Sequence, residues 1–108
     1  TQSVIRDNNL VRLHPKDGAS CLGGDDTAGV WILRNMIKRK IPGLYVFHRE
    51  EEVGGLGSDF IAKENKKLLE GIQYAIALDR RGYSSVITHQ GSRCASDSFA
   101  NAIAKQFG

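Results

Sequence analysis

Leu44-Tyr45-Val46-Phe47-His48 runs through Arg49 into Glu50-Glu51-Glu52, and then into Val53-Gly54-Gly55-Leu56-Gly57-Ser58-Asp59. The opening run is short, apolar and bounded by polar residues, which reads as a buried strand. The glycines that follow supply a tight turn. Ser58 or Asp59 is expected to cap a helix reaching about Gly71, with Ile61, Leu68 and Ile72 turned inward.

The same grammar continues on both sides. Residues 74–78 are again apolar and end in Asp79, and residues 84–89, with Val86 and Ile87, form a further strand candidate. Upstream, a helix is expected over residues 26–40, because Val30, Leu33, Ile37 and Ile41, joined by Met36, recur at helical spacing. Lys38-Arg39-Lys40 suits the negative end of its dipole, and Pro42-Gly43 stops it. Residues 3–14 read as a hairpin turning at Asp7-Asn8-Asn9, and residues 15–24 as a loop. Ser96 or Asp97 caps a last helix whose Phe99, Ala100, Ile103 and Phe107 share a face. The order ββ-α-β-α-β-β-α argues for an α/β layered domain with a partly parallel sheet. No repeat, linker or low-complexity stretch interrupts it.

The chain has 108 residues and a formal net charge of +3. That length holds one domain. A hydrophobic fraction of 41% with 25% charged residues is globular composition and argues against disorder. The small positive surplus gives no reason to expect nucleic acid or a membrane as partner. No apolar run approaches the roughly 20 residues of a membrane span, and no signal-peptide pattern opens the chain, so the expected compartment is the cytoplasm. Cys21 and Cys94 lie far apart and make no C-x-x-C motif, so neither a zinc knuckle nor a disulfide framework is indicated.

The acids carry the chemistry. Two strand candidates end in carboxylates, one in Glu50-Glu51-Glu52 and the other in Asp79. Ligands of open α/β sheets bind outside the carboxyl ends of strands. Glu51, Glu52 and Asp79 are therefore expected at one sheet edge, near Asp25-Asp26 at the start of a helix. Each has a plainer reading as well. The Asp pair can cap the helix, the Glu run can be a solvated loop, and Asp79 can pair with Arg80 or Arg81. Carboxylates that converge repel one another, and a divalent cation or a shared proton relieves the repulsion. Oxygen ligands of this kind suit zinc, manganese, cobalt or magnesium. Two adjacent glutamates also permit one to bind metal while the other moves a proton.

Leu22-Gly23-Gly24-Asp25-Asp26-Thr27-Ala28-Gly29-Val30 resembles the G-x-D-D-x-A-G segment of co-catalytic di-zinc exopeptidases. Glu51-Glu52-Val53-Gly54-Gly55-Leu56-Gly57 is similar to their E-E-x-G-x-x-G segment, and Ala77-Leu78-Asp79 to the strand-end aspartate that follows. The likeness is to peptidase T-like and glutamyl-aminopeptidase-like aminopeptidases and to aminoacylase/carboxypeptidase-type amidohydrolases, and it covers residues 20–80. It implies a three-layer α/β/α domain with a mixed, partly parallel central sheet, of which this chain is an incomplete part. It also implies two divalent ions, zinc or else cobalt or manganese, with a peptide or N-acyl amino acid as substrate. Asp25 would bridge the metals, Glu52 would bind one and Asp79 the other, and Glu51 would be general base and then general acid. Asp26 is left to capping or support.

The family also uses two histidines, one in an upstream H-x-D segment and one far downstream. Here His14 is followed by Pro15-Lys16 and does not make H-x-D, and His48 sits on a strand candidate. His89, near a strand end, is the histidine to test. The expectation is that residues 1–108 are an internal segment of a longer catalytic domain, in keeping with Thr1 in place of Met. Two other classes compete. One is a non-catalytic binding or scaffold domain on the same fold. The other is a phosphate-binding module at Gly54-Gly55-Leu56-Gly57, although three glutamates beside that turn repel phosphate. Trp31, Phe47, Phe60 and Phe99 read as packing residues, and Lys66-Lys67 as solvated surface. Arg80-Arg81 reads as surface or, following a proposed ligand, as a contact for a substrate carboxylate.

Overall fold

The computed structural model describes residues 3–107. Strands β1 (Val4–Asp7) and β2 (Leu10–Leu13) pair antiparallel, with Val4 opposite Leu13 and Asp7 opposite Leu10. Asn8 turns the chain at φ 53°, a conformation asparagine tolerates better than most residues. The Arg12 guanidinium reaches the Asp7 carboxylate at 2.8 Å on the hairpin surface.

Beyond the hairpin, the Asp17 carboxylate accepts the Ser3 N–H at 2.6 Å and the Ala19 N–H at 3.0 Å. These two backbone donors, Ser3 first, hold its carboxyl below the ordinary carboxylate range. A group whose folded value is depressed stabilises above its unfolded value and loses that contribution as pH falls through the folded one. Protection of the Ser3 and Ala19 amides from hydrogen exchange is therefore expected at neutral pH and lost on acidification below the ordinary Asp range. Asp17→Asn should remove the pH dependence. Equal protection of both amides across that range in the unaltered chain would refute the assignment.

Helix α1 (Gly24–Lys38) takes helical geometry only from Thr27, since Asp25 (φ −96°, ψ 110°) and Asp26 (φ −111°, ψ 44°) are not helical. Its end is a Schellman motif. Lys40 stands at φ 58°, its N–H bonds to the Ile37 carbonyl, and the Ile41 N–H bonds to the Met36 carbonyl. Pro42 follows and cannot continue the helix. The Tyr45 hydroxyl then donates to the Ile41 carbonyl at 2.8 Å.

Helix α2 (Leu56–Glu64) starts two residues before Ser58, because Gly55 at φ 67° is its cap. Ser58 instead donates its hydroxyl to the Gly55 carbonyl, and Asp59 pairs with Lys63 one turn on. The helix ends at Asn65, whose backbone is not helical, and a 3-10 turn, Lys66–Leu69, replaces the expected continuation to Gly71. Strands β3 (His89–Gln90) and β4 (Ser92–Arg93) make a short hairpin about Gly91, at φ 72°. Helix α3 (Asp97–Phe107) is capped by Ser96, whose hydroxyl oxygen accepts the Phe99 N–H at 3.1 Å.

Residues 44–48 and 74–78 make no backbone ladder among the described residues. Residues 74–78 touch α3 through the rings of Tyr74 and Phe99, 5.6 Å apart. Ala100, on the inner face of α3, is the one buried hydrophobic residue among those described. The radius of gyration is 16.6 Å, against about 13 Å for a compact domain of this length. The accessible surface is 9938 Å², where a compact monomer of this mass exposes about 5,900 Å². Large hydrophobic side chains contribute to it, with Trp31, Phe47, Phe60 and Tyr74 among those exposed. No helix among the described residues is long and apolar enough to cross a membrane.

Candidate functional site

A cleft of about 610 Å³ opens where the start of α1 meets the segment that follows residues 74–78. Asp25 and Asp26 line it from the helix side, and Asp79, Arg80 and Arg81 from the other. The sequence separates Asp25 from Asp79 widely, and folding brings them to one cavity.

Local structure explains the placement. Gly23, at φ 69°, turns the chain into α1 as only glycine does without strain. The Asp25–Asp26 peptide is cis. Asp26 is the working cap of the helix, its Oδ1 accepting the Gly29 N–H at 2.9 Å. Asp25 has no such task. Its carboxylate makes neither a hydrogen bond nor an ion pair among the described residues, and the same holds for Asp79. Asp79 therefore does not pair with Arg80 or Arg81.

Gly29 permits the approach. A β-carbon there would overlap the Leu78 carbonyl oxygen and the Asp26 carboxylate. Its buried position in the first turn of α1 lets the backbone leading to Asp79 lie against the helix start.

Glu51 and Glu52 stand elsewhere, on the turn between residues 49 and 57. Glu50 has φ 63°, and Gly54 and Gly55 follow at 101° and 67°. The Glu51 carbonyl accepts the N–H groups of Gly54 and Gly55, at 3.0 and 2.9 Å. Leu56 N–H bonds to the Glu50 carbonyl, and Gly57 N–H to that of Arg49. Gly57 must be glycine for closeness, since a β-carbon would stand 2.8 Å from the Arg49 nitrogen. The N–H groups of Gly54, Gly55, Leu56 and Gly57 are thus bonded to the chain's own carbonyls and are not turned to an anion. Both glutamate side chains are exposed and without polar partners among the described residues.

The structure brings Asp25 and Asp79 to one cleft, and Glu51 and Glu52 do not line it. No group of three His, Cys, Asp or Glu side chains gathers to hold a metal among the described residues. The histidines stand apart from the cleft. His14 Nδ1 accepts the Lys16 N–H at 3.1 Å, and His89 Nδ1 lies 2.9 Å from the Thr88 hydroxyl. Gly29 is the residue whose role sequence reasoning missed. Its signatures were its place as the last glycine of the G-x-D-D-x-A-G segment and its position in the first turn of a helix, where alanine is intrinsically better.

No family model, no curated protein and no solved structure matches the chain.

Proposed function

We propose that this chain is part of the catalytic domain of a metal-dependent hydrolase, an aminopeptidase-type exopeptidase or amidohydrolase acting in the cytoplasm on a peptide or N-acyl amide bond. The observation that supports this reading is the convergence of Asp25 and Asp79, both without polar partners, on one cleft. Their oxygen atoms are donors a zinc, cobalt or manganese ion accepts. Asp25, Asp79 and Glu52 would hold the ions, Asp25 as the ligand shared between two of them and Asp79 and Glu52 as a ligand of one each. Bound divalent ions would supply electrophilic activation of water and of the scissile carbonyl. Glu51 takes a proton from the attacking water and returns it to the leaving amine. Asp26 fixes the start of α1 and with it the backbone at Asp25. Gly29 admits the backbone that carries Asp79.

Exposed apolar surface on residues 44–48 and 74–78 supports a larger three-layer α/β/α domain, in which these segments become neighbouring strands of a mixed, partly parallel sheet. Bringing residues 44–48 beside residues 74–78 also carries the Glu51-Glu52 turn to the edge where Asp79 stands.

Calorimetric titration with zinc tests the metal assignment. Residues 1–108 alone hold carboxylate ligands and no histidine at the cleft, so weak binding and little or no amide hydrolysis are expected. Asp25→Asn and Asp79→Asn should each weaken that binding about tenfold or more. Asp97→Asn, on the surface beside Arg93, should leave it unchanged. Tight binding of two ions by these residues alone, or a titration indifferent to Asp25 and Asp79, would sink the assignment.

A further inference from the structure

We infer that the face of α1 bearing Trp31, Met36 and Arg39 is a docking groove for an acidic peptide segment of a partner protein, one that carries a single large apolar anchor among its carboxylates. The inference stands apart from the hydrolase reading, since of the residues lining the acid cleft only Ile32 borders this groove as well.

The groove holds about 240 Å³ and is lined by Trp31, Ile32, Asn35, Met36, Arg39 and Ile41. Trp31, Asn35 and Arg39 follow one another at every fourth position, a row on the side of α1 away from Val30, Leu33 and Ile37. Ile41 closes the end of the row. The Schellman turn sets it there through its N–H bond to the Met36 carbonyl, and the Tyr45 hydroxyl holds the Ile41 carbonyl. The site is thus built from one helix and its cap, and needs no other part of a domain. Trp31 is 65% exposed and Ile32 42%, an apolar patch without cover. Asn35 gives its side-chain N–H to the Trp31 carbonyl at 2.7 Å, and Arg39 is the charged group of the lining.

Charge decides what the groove takes. Residues 27–49 hold Arg34, Lys38, Arg39, Lys40 and Arg49, and neither Asp nor Glu. Among the described residues Asp7, Asp59 and Asp97 form ion pairs, and they take Arg12, Lys63 and Arg93. The side chains of Arg34, Lys38, Arg39 and Lys40 make no hydrogen bond or ion pair there. The negative end of a helix amounts to about half an elementary charge, so one cation offsets it and the rest of Lys38-Arg39-Lys40 stands uncompensated. This surplus is present in the bare polypeptide and requires no bound ion. An apolar groove with cations gathered at one end fits an apolar side chain seated beside Trp31, with carboxylates reaching Arg39 and its neighbours. A lipid surface has no such anchor to place against the wall that Ile41 makes. A second copy docking through the same face brings no acid to Arg39.

Trp31 is the single tryptophan of the chain, so its fluorescence reports on the groove. The probes are blocked peptides with one central leucine or phenylalanine among glutamates, titrated into the full chain in metal-free buffer. At least one is expected to shift the emission to the blue and to bind about tenfold or more tightly than two counterparts, one with lysine in place of glutamate and one with serine in place of the apolar residue. Lys38→Gln with Arg39→Gln should lower that affinity about tenfold. Lys66→Gln with Lys67→Gln, which removes the same charge from another exposed site, should leave it within about twofold. Trp31→Ala, followed by calorimetric titration, should weaken binding without touching any charge, and far-UV circular dichroism shows whether each variant keeps its helices. Peptides that do not bind, or that bind without regard to charge or to the central residue, overturn the inference. So does binding that both the Lys38-Arg39 and the Trp31 variants retain. A shift produced by phosphatidylserine vesicles in place of the peptides assigns the face to a membrane, and one produced by raising the protein concentration alone assigns it to a second copy. Either outcome overturns the inference too. Zinc binding to the Asp25 and Asp79 variants, which tests the hydrolase reading, does not depend on this face, so the two can fail separately.

Discussion

In the intact catalytic domain proposed above, of which residues 1–108 are a part, Glu51→Gln is expected to lower amide hydrolysis by about 10²–10⁴-fold while leaving zinc affinity nearly unchanged. Glutamine keeps the size of the side chain and one of its oxygens, but it does not take up a proton at neutral pH. The substitution is structurally mild here. The turn around Glu51 is held by its backbone carbonyl, which accepts from Gly54 and Gly55, while its carboxylate makes no bond in the described structure. Loss of turnover would therefore report on proton transfer rather than on folding. Steady-state hydrolysis of an N-acetyl amino acid and of a dipeptide by the holoprotein, with a zinc titration beside it, gives both readouts. Near-normal turnover in Glu51→Gln would remove this residue from the mechanism. It would favour a binding or scaffold role for the domain.

The second large effect is expected at Gly29. Gly29→Ala should destabilise the fold by about 2–4 kcal/mol, combining overpacking against backbone with disturbance of a helix cap. The added methyl group meets the Leu78 carbonyl oxygen on one side and the Asp26 carboxylate on the other. Neither is the far end of a flexible side chain. Relief requires the backbone before Asp79 to withdraw from α1, which widens the cleft and separates Asp79 from Asp25. Weaker zinc binding should accompany the loss of stability. Gly24→Ala is the control, since a β-carbon there meets nothing within 4 Å. Urea unfolding of the two variants beside the unaltered chain measures the difference. A Gly29→Ala chain as stable as Gly24→Ala would mean that the close approach is not a feature of the folded molecule.

What the sequence made legible was local. The β1–β2 hairpin, the body of α1 and the Ser96 cap of α3 each follow from residues within a few positions of one another. The stop of α1 was legible at Pro42, but not the left-handed Lys40 before it, because that position ordinarily belongs to glycine. The start of α2 was misplaced for a related reason. Ser58 and Asp59 are good cap residues, and Gly55 took the role because the turn had already set its backbone at positive φ.

In the site, Asp25 and Asp79 could be singled out from their positions after glycines and after an apolar run. Their meeting depends on Gly29 and Leu78, about fifty residues apart, and no local pattern reports such a contact. The predicted meeting of Glu51 and Glu52 with Asp79 needs residues 44–48 and 74–78 to lie side by side. Parallel pairing of that kind is the least local of all backbone interactions.

Those two apolar stretches have a practical consequence. Each presents a row of backbone N–H and C=O groups without hydrogen bonds among the described residues, flanked by exposed Val46, Phe47, Tyr74 and Ile76. Such a ledge is a template for adding strands from other molecules, and short apolar β-prone segments are what stacked fibrils are built from. Solubility of this polypeptide is thus a matter of shielding. A cover over residues 44–48 and 74–78 would keep it dispersed, and a charge introduced at Val46 or Ile76 would act as a gatekeeper in its place.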